Sequence, residues 1–377
     1  MDTKRVVITG AGGLLGWHAE ARLHAANCAA KFKGDQAPYD IHAPGKDEYS
    51  NEENLAARLK NADVVLHFAG VNRGDERTVE KANPKIARAL VEACKAANVN
   101  PTIVYANSTH SDTDTPYGNS KRRAGEILSD FAKNYVDLVL PHIFGECAKP
   151  FYNNVTATLI RQLIDDKNVE LNPNGRVCLL HAGDAAQIAI DAGLEKVTQR
   201  IVPEGRNNRV TDLYDLLMQM HNSYQGNQYP ALQNEFEVKL FNSYRVATYP
   251  DGWPMRLAKN EDSRGVLFEV VKGGSGGQTF LSTTKPGIVR GDHFHLNKVE
   301  RFLVLKGEAI IRVRRVLRDE IWEYRVTGDD PTPIDMPTLH THSIENIGNT
   351  ELLTLFWTNE IFDQENPDTY ADKVLRQ

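Results

Sequence analysis

Tyr117 and Lys121 stand four residues apart in Tyr117-Gly118-Asn119-Ser120-Lys121. On a helix that spacing puts both on one face, phenol beside ammonium. A neighbouring cation favours phenolate and draws the tyrosine toward the working range, which makes it a proton donor or acceptor. Of the thirteen tyrosines, it alone has a lysine four residues on. Ser108 precedes the pair and is placed to hydrogen-bond a substrate oxygen, with Thr109 as the alternative. A second set lies in the last third, in Gly287-x5-His293-x-His295-x4-Glu300-x6-Gly307. On a strand, His293 and His295 project from one face, and Glu300, opening the next strand, turns back toward them. Pro337-x4-His342-x3-Asn346 adds a third imidazole. Three nitrogens and one carboxylate suit Zn, Mn, Fe, Co or Ni, and with no thiolate the first choice is Zn. His340 stays open between a ligand, a group behind a ligand and a solvated residue.

A third pattern, Gly10-Ala11-Gly12-Gly13-Leu14-Leu15-Gly16, follows a short apolar strand and opens a helix. Glycines there let backbone approach a pyrophosphate, which rests on the helix N-terminal N–H groups. A carboxylate at the tip of the second strand would favour NAD by binding the ribose 2′-hydroxyl. That strand, 39–42, closes on His42 and Ala43, Asp40 sits inside it, and Lys46 is near enough to help a 2′-phosphate. The expected coenzyme is therefore NADPH.

The elements that must hold these residues alternate in the first half. Strands are predicted over 6–9, 62–70, 102–105 and 137–140, and helices over 15–26, 83–97 and 117–132. Alternation through about residue 200 is the pattern of a doubly wound α/β parallel sheet. From Arg264 the chain turns β-rich, with strands over 265–271, 279–283, 300–305, 308–316, 321–326 and 351–357. Short strands punctuated by turns suggest an all-β jelly-roll barrel. Pro250, Gly252 and Pro254 break regular structure between, so the expected domains are 1–243 and 244–377.

Bulk properties exclude some partners. At 377 residues, two domains are the prior expectation. A charge of -6 and a pI near 6.1 argue against nucleic acid or an anionic membrane as the main partner. Cys28, Cys94, Cys147 and Cys178 have no C-x-x-C spacing and read as reduced thiols. Met1 to Arg5 run straight into a strand, and no apolar run of about 18 residues occurs, so the expectation is a soluble, cytoplasmic protein.

On the glycine turn, Ser108, Tyr117 and Lys121, with the stretches 63–70 and 141–145 and Asn83, the first half resembles the extended short-chain dehydrogenase/reductase family. The resemblance spans about residues 4–220. It implies that Gly10, Gly13, Gly16, Asn83, Tyr117 and Lys121 hold the coenzyme, Lys121 through the nicotinamide ribose. Ser108, Tyr117 and Lys121 would serve hydride transfer. The histidine and glutamate pattern resembles both cupin motifs over about 262–360, except that Leu339 stands where the second motif carries Gly. Fused, the halves resemble the CapF family of capsular-polysaccharide enzymes. That resemblance implies a UDP-linked 2-acetamido-2,6-dideoxy-4-ketohexose as substrate, inverted at C3 by the cupin. The reductase then converts its C4 ketone with NADPH, a step toward UDP-N-acetyl-L-fucosamine. Both parent folds commonly dimerise, which implies a homodimer. A structural metal, or a cupin acting as oxygenase or isomerase, is the alternative.

Overall fold

Runs of aliphatic and β-branched residues, each closed by a glycine or polar turn, form the strands of the first half. The computed structural model describes residues 2–49, 51–257, 259–263, 265–274 and 276–376. Met1 and Arg264, where the sequence reading began the chain's first strand approach and its β-rich half, lie outside them. Six strands form one parallel sheet in the order β2-β1-β3-β4-β5-β8. They are β1 (Lys4–Thr9), β2 (Tyr39–His42), β3 (Val64–His67), β4 (Thr102–Ser108), β5 (Tyr135–Leu140) and β8 (Gln199–Ile201). A three-stranded sheet holds β6 (His142–Phe144), β7 (Arg176–His181) and β9 (Arg206–Arg209).

Alternate strand residues cover both faces of the parallel sheet. Val6, Ile8, Leu66 and Val104 pack on Leu15, Ala19 and Leu23 of α1 (Leu14–Phe32) and on Ala185 and Ala189 of α4 (Ala182–Glu195). Val7, Val65, Ile103 and Tyr105 face Leu90 of α2 (Glu76–Ala96) and Ala124 and Leu128 of α3 (Pro116–Phe131). Helix α2 begins seven residues before the start predicted at 83. Asp75 caps it by accepting from the Thr78 N–H, and Pro84 lies inside the helix.

Compactness divides the chain into 1–158 with 172–210, and 159–171 with 211–377. The predicted domains broke at 243/244; residues 211–243 instead group with the second unit. The physical reason is a buried charge cluster. Asp335 accepts from Tyr224 of α5 (Val210–Gln225) and from Tyr229, each at 2.5 Å, and from Arg301 Nε at 2.5 Å. Arg245 of α6 (Glu235–Ala247) donates to the Met336 carbonyl at 3.0 Å. All five residues are buried.

Two antiparallel sheets dominate the second unit. One has the order β10-β17-β12-β15, from β10 (Gln278–Thr284), β12 (Glu300–Lys306), β15 (Ile334–Met336) and β17 (Leu352–Thr358). The other has the order β14-β13-β16-β11-β18. Its strands are β11 (Val289–Phe294), β13 (Glu308–Arg315), β14 (Ile321–Thr327), β16 (His340–Asn346) and β18 (Tyr370–Ala371). Phe302, Val304 and Leu352 of the first meet Ile311, Val313 and Ile344 of the second, forming the core. The strand predicted over 265–271 ends at Phe268, and a separate two-residue strand follows at Lys272–Gly273.

Candidate functional site

Glycine is required where β1 turns into α1. Gly10 has φ +76°, and a Cβ there would meet the Ala69 nitrogen at 2.6 Å. A Cβ on Gly16 would meet the Gly10 carbonyl oxygen at 2.3 Å. Gly13 caps α1 without any side-chain hydrogen bond, which leaves the helix's first N–H groups for an anion. Asn83 is buried, accepting from the Val71 N–H and donating to the Val71 carbonyl, both at 2.9 Å, and to Ser120 Oγ at 3.0 Å. Its amide thus fixes the loop after β3. Residue by residue, the strand tip is as expected: β2 ends at His42, and Asp40 accepts from Arg5 Nε at 2.7 Å.

These elements enclose a cleft of about 710 Å³. Gly10, Gly13, Gly16, Asn83, Ser108, Tyr117 and Lys121 all line it. Ser108 closes β4, and its Oγ accepts from the His110 N–H at 3.2 Å. Thr115 caps α3, so Tyr117 enters the cleft on the first turn and Lys121 on the second. Lys121 Nζ donates to the Ala106 carbonyl at 2.5 Å and lies 4.2 Å from the centre of the Tyr105 ring. Burial lowers the Lys121 ammonium to about 7, with Asp137 opposing.

The expected effect on Tyr117 is corrected here. Burial raises its phenol above 10.0, and the force drawing it back is a hydrogen bond with Ser108. The Lys121 ammonium is turned to the Ala106 carbonyl and the Tyr105 ring. His142, from the stretch 141–145, also lines the cleft, as do His110, Lys149, Tyr152, Asn153 and Asn154, which were not singled out in the sequence. They follow no fixed spacing, so only the fold reveals them.

In the second unit, His293, His295, Glu300 and His342 bring one ligand atom each within 4.8 Å of one another. His293 lies in β11, His295 just past its end, Glu300 opens β12, and His342 lies in β16. A bulge between Gly291 and His293 lets His293 pair with His342. His295 Nδ1 donates to the Asp368 carbonyl at 2.6 Å, and His342 Nδ1 faces the His340 carbonyl at 3.2 Å. The two Nε2 atoms lie 3.1 Å and 3.3 Å from the same Glu300 oxygen, a hydrogen bond in the case of His295. With each Nε2 unprotonated, the donor set fits a divalent ion.

His340 stands outside this group. Its Nδ1 donates to the Thr338 carbonyl at 2.8 Å, and its ring lies 5.8 Å from Trp322. Leu339 adopts φ +59°, so the turn that glycine would make freely is kept with a buried leucine. A cavity of about 380 Å³ adjoins the cluster, lined also by Phe280, Phe302, Phe356, Arg290 and Lys298.

Residues 6–202 match the NAD dependent epimerase/dehydratase family, and the chain belongs to it. Residues 260–370 match the polysaccharide biosynthesis C-terminal domain. A curated relative is the UDP-2-acetamido-2,6-beta-L-arabino-hexul-4-ose reductase of Pseudomonas aeruginosa, 28% identical, the match covering 98% of this chain and 99% of that one. Among solved structures, the capsular polysaccharide assembling protein CapF from Staphylococcus aureus is 29% identical with a TM-score of 0.57, covering 98% and 100% of the two chains. A UDP-N-acetylglucosamine 4-epimerase from Methanobrevibacter ruminantium, 16% identical with a TM-score of 0.53, covers 65% of this chain and 98% of its own and shares the fold. Among the described residues, no helix is long and apolar enough to cross a membrane.

Proposed function

We propose that the chain is a bifunctional, cytoplasmic nucleotide-sugar enzyme acting as a homodimer. Its first unit reduces the C4 ketone of a UDP-linked 2-acetamido-2,6-dideoxy-4-ketohexose with NADPH. Its second, a cupin jelly roll, epimerises C3 of that sugar through a divalent ion, Zn first. The observation that carries this reading is the single cleft joining the Gly10–Gly16 turn to Ser108, Tyr117 and Lys121. Full-length similarity to a UDP-sugar reductase supports the substrate class.

When bound, NADPH supplies the hydride for C4. Ser108 Oγ donates a hydrogen bond to the ketone oxygen, and Tyr117 gives that oxygen its phenolic proton, leaving an alcohol and a phenolate. Lys121 holds the ribose. In the second unit, His293, His295, Glu300 and His342 would hold an ion that supplies Lewis acidity beside the ketone, which makes the C3 proton removable. Reduction at C4 then removes the ketone and fixes the new C3 configuration.

The two steps are separable. Tyr117→Phe abolishes NADPH oxidation and leaves deuterium exchange at C3 intact. His295→Ala stops the exchange, and if the reductase takes the unepimerised ketone, a C3-epimeric alcohol appears. Loss of C3 exchange in Tyr117→Phe would overturn the division of labour. Exchange persisting in folded His295→Ala would make the metal structural.

A further inference from the structure

The chain carries a net charge of -6, yet among the described residues no aspartate or glutamate lines the first cleft, whereas Lys121 and Lys149 do. Such a cleft selects anions. In the reading above, the coenzyme accounts for the glycine turn, Tyr117 and Lys121. Of the remaining wall, Cys147, Lys149, Tyr152, Asn153 and Asn154 with Val71 and Asn72 are left for the other reactant.

That wall is built under strain. Cys147, Phe151 and Asn153 have φ of +63°, +58° and +48°, three left-handed non-glycine residues within seven positions. Conformations of this kind persist where surrounding contacts impose them, and they gather at ligand sites. Here Arg73 Nη1 donates to the Phe151 carbonyl at 2.8 Å, and Asn153 Nδ2 to the Asn72 carbonyl at 3.0 Å. Asn154 Nδ2 donates to the Ile143 carbonyl at 3.1 Å. The result presents Tyr152, 43% exposed, with Arg73 5.9 Å and Lys149 5.4 Å from its ring centre. Among the described residues no carboxylate neutralises either cation.

We propose that Arg73, Lys149 and Tyr152 form the nucleotide end of this cleft. The diphosphate of a nucleoside diphosphate sugar lies against the two cations, and its base stacks on the Tyr152 ring. This rests on the reductase reading and adds the residues that select a nucleotide-linked sugar over a free one. A guanidinium and an ammonium suit the two phosphates, and a planar phenol fits any base face. The sugar then points its ketone toward Tyr117.

The test is isothermal titration of the full-length chain, saturated with NADPH, by UDP and separately by uridine. Wild type binds UDP at least tenfold more tightly than uridine. Arg73→Ala and Lys149→Ala each weaken UDP about tenfold and leave uridine unchanged, whereas Tyr152→Ala weakens both. NADPH affinity stays constant in all three, which also shows that they are folded. UDP held in the second unit is unaffected by these substitutions and remains as a separate class of site. The proposal is overturned if wild type binds no UDP, or if the Arg73→Ala/Lys149→Ala double variant binds UDP within twofold of wild type. It is equally overturned if NADPH affinity falls in parallel, which would assign the cations to the coenzyme. The reductase reading fails by a different result: wild type that binds UDP and NADPH but does not oxidise NADPH with the UDP-linked 4-keto sugar.

Discussion

Lys121 holds a buried ammonium, and that burden is measurable as a pH dependence of stability. Its folded value is about 7 against 10.5 for an ordinary lysine, a gap worth about 5 kcal/mol. Between those values the unfolded chain binds the proton that the folded chain has released, so wild-type stability rises with pH across the window. Below about pH 7 both states are protonated and the cost is felt in full. Lys121→Met removes the ammonium and keeps the length of the side chain. Its stability relative to wild type should therefore be greatest near pH 6 and should shrink by about 3 kcal/mol on going to about pH 9.5. Amide exchange in peptides of β4 and α3, corrected for intrinsic rates, reports this unit's opening free energy at each pH. A difference between variant and wild type that is equal at both pH values would refute the argument, because the charge would then be compensated by groups other than Asp137.

Asp335→Ala should cost about 3–5 kcal/mol in urea unfolding, since it strands Arg301 and Arg245 among buried tyrosines. Asp335→Asn should cost less, and a loss below about 1 kcal/mol for the alanine variant would mean that both arginines find other acceptors. Elemental analysis of protein purified without chelator should find about one divalent ion per chain. His295→Ala should lose that ion and His340→Ala should keep it; full occupancy in His295→Ala would mean the ligands are misassigned. With no carboxylate at the tip of β2, kcat/KM should favour NADPH; a tenfold preference for NADH, about 1.4 kcal/mol at the transition state, would sink that choice.

The sequence made the glycine turn legible because a missing Cβ leaves a trace in residue type, and the Gly10 and Gly16 contacts show why no other residue serves. The histidine cluster was legible for a similar reason: ligand types are rare and their spacing follows strand geometry. Helix α2 was read too short because Asn83-Pro84 looks like a helix start, whereas the Asp75 cap had already begun it. The grouping of residues 211–243 with the second unit was not legible, because helical periodicity reports that a face is buried, not which core buries it. Tyr224 and Asp335 are 111 positions apart. The direction of Lys121 was hidden for a related reason, since i, i+4 spacing brings two side chains near but does not decide which acceptor the ammonium takes. Tyr152 and its cations left no sequence signature, because their arrangement depends on backbone angles at Cys147, Phe151 and Asn153.

The tie between His295 and Asp368 has a consequence in time. Besides holding the imidazole through its carbonyl, Asp368 accepts the N–H groups of Leu296, Asn297 and Lys298 through its carboxylate. The two residues are 73 positions apart, so at ribosomal rates of roughly 5–20 residues per second Asp368 is made about 4–15 s after His295. Until Asp368 is in place, nothing in this contact holds the His295 ring in its orientation. Late-arriving chain then fixes which nitrogen of His295 faces Glu300, so the ring's orientation depends on residues made well after it.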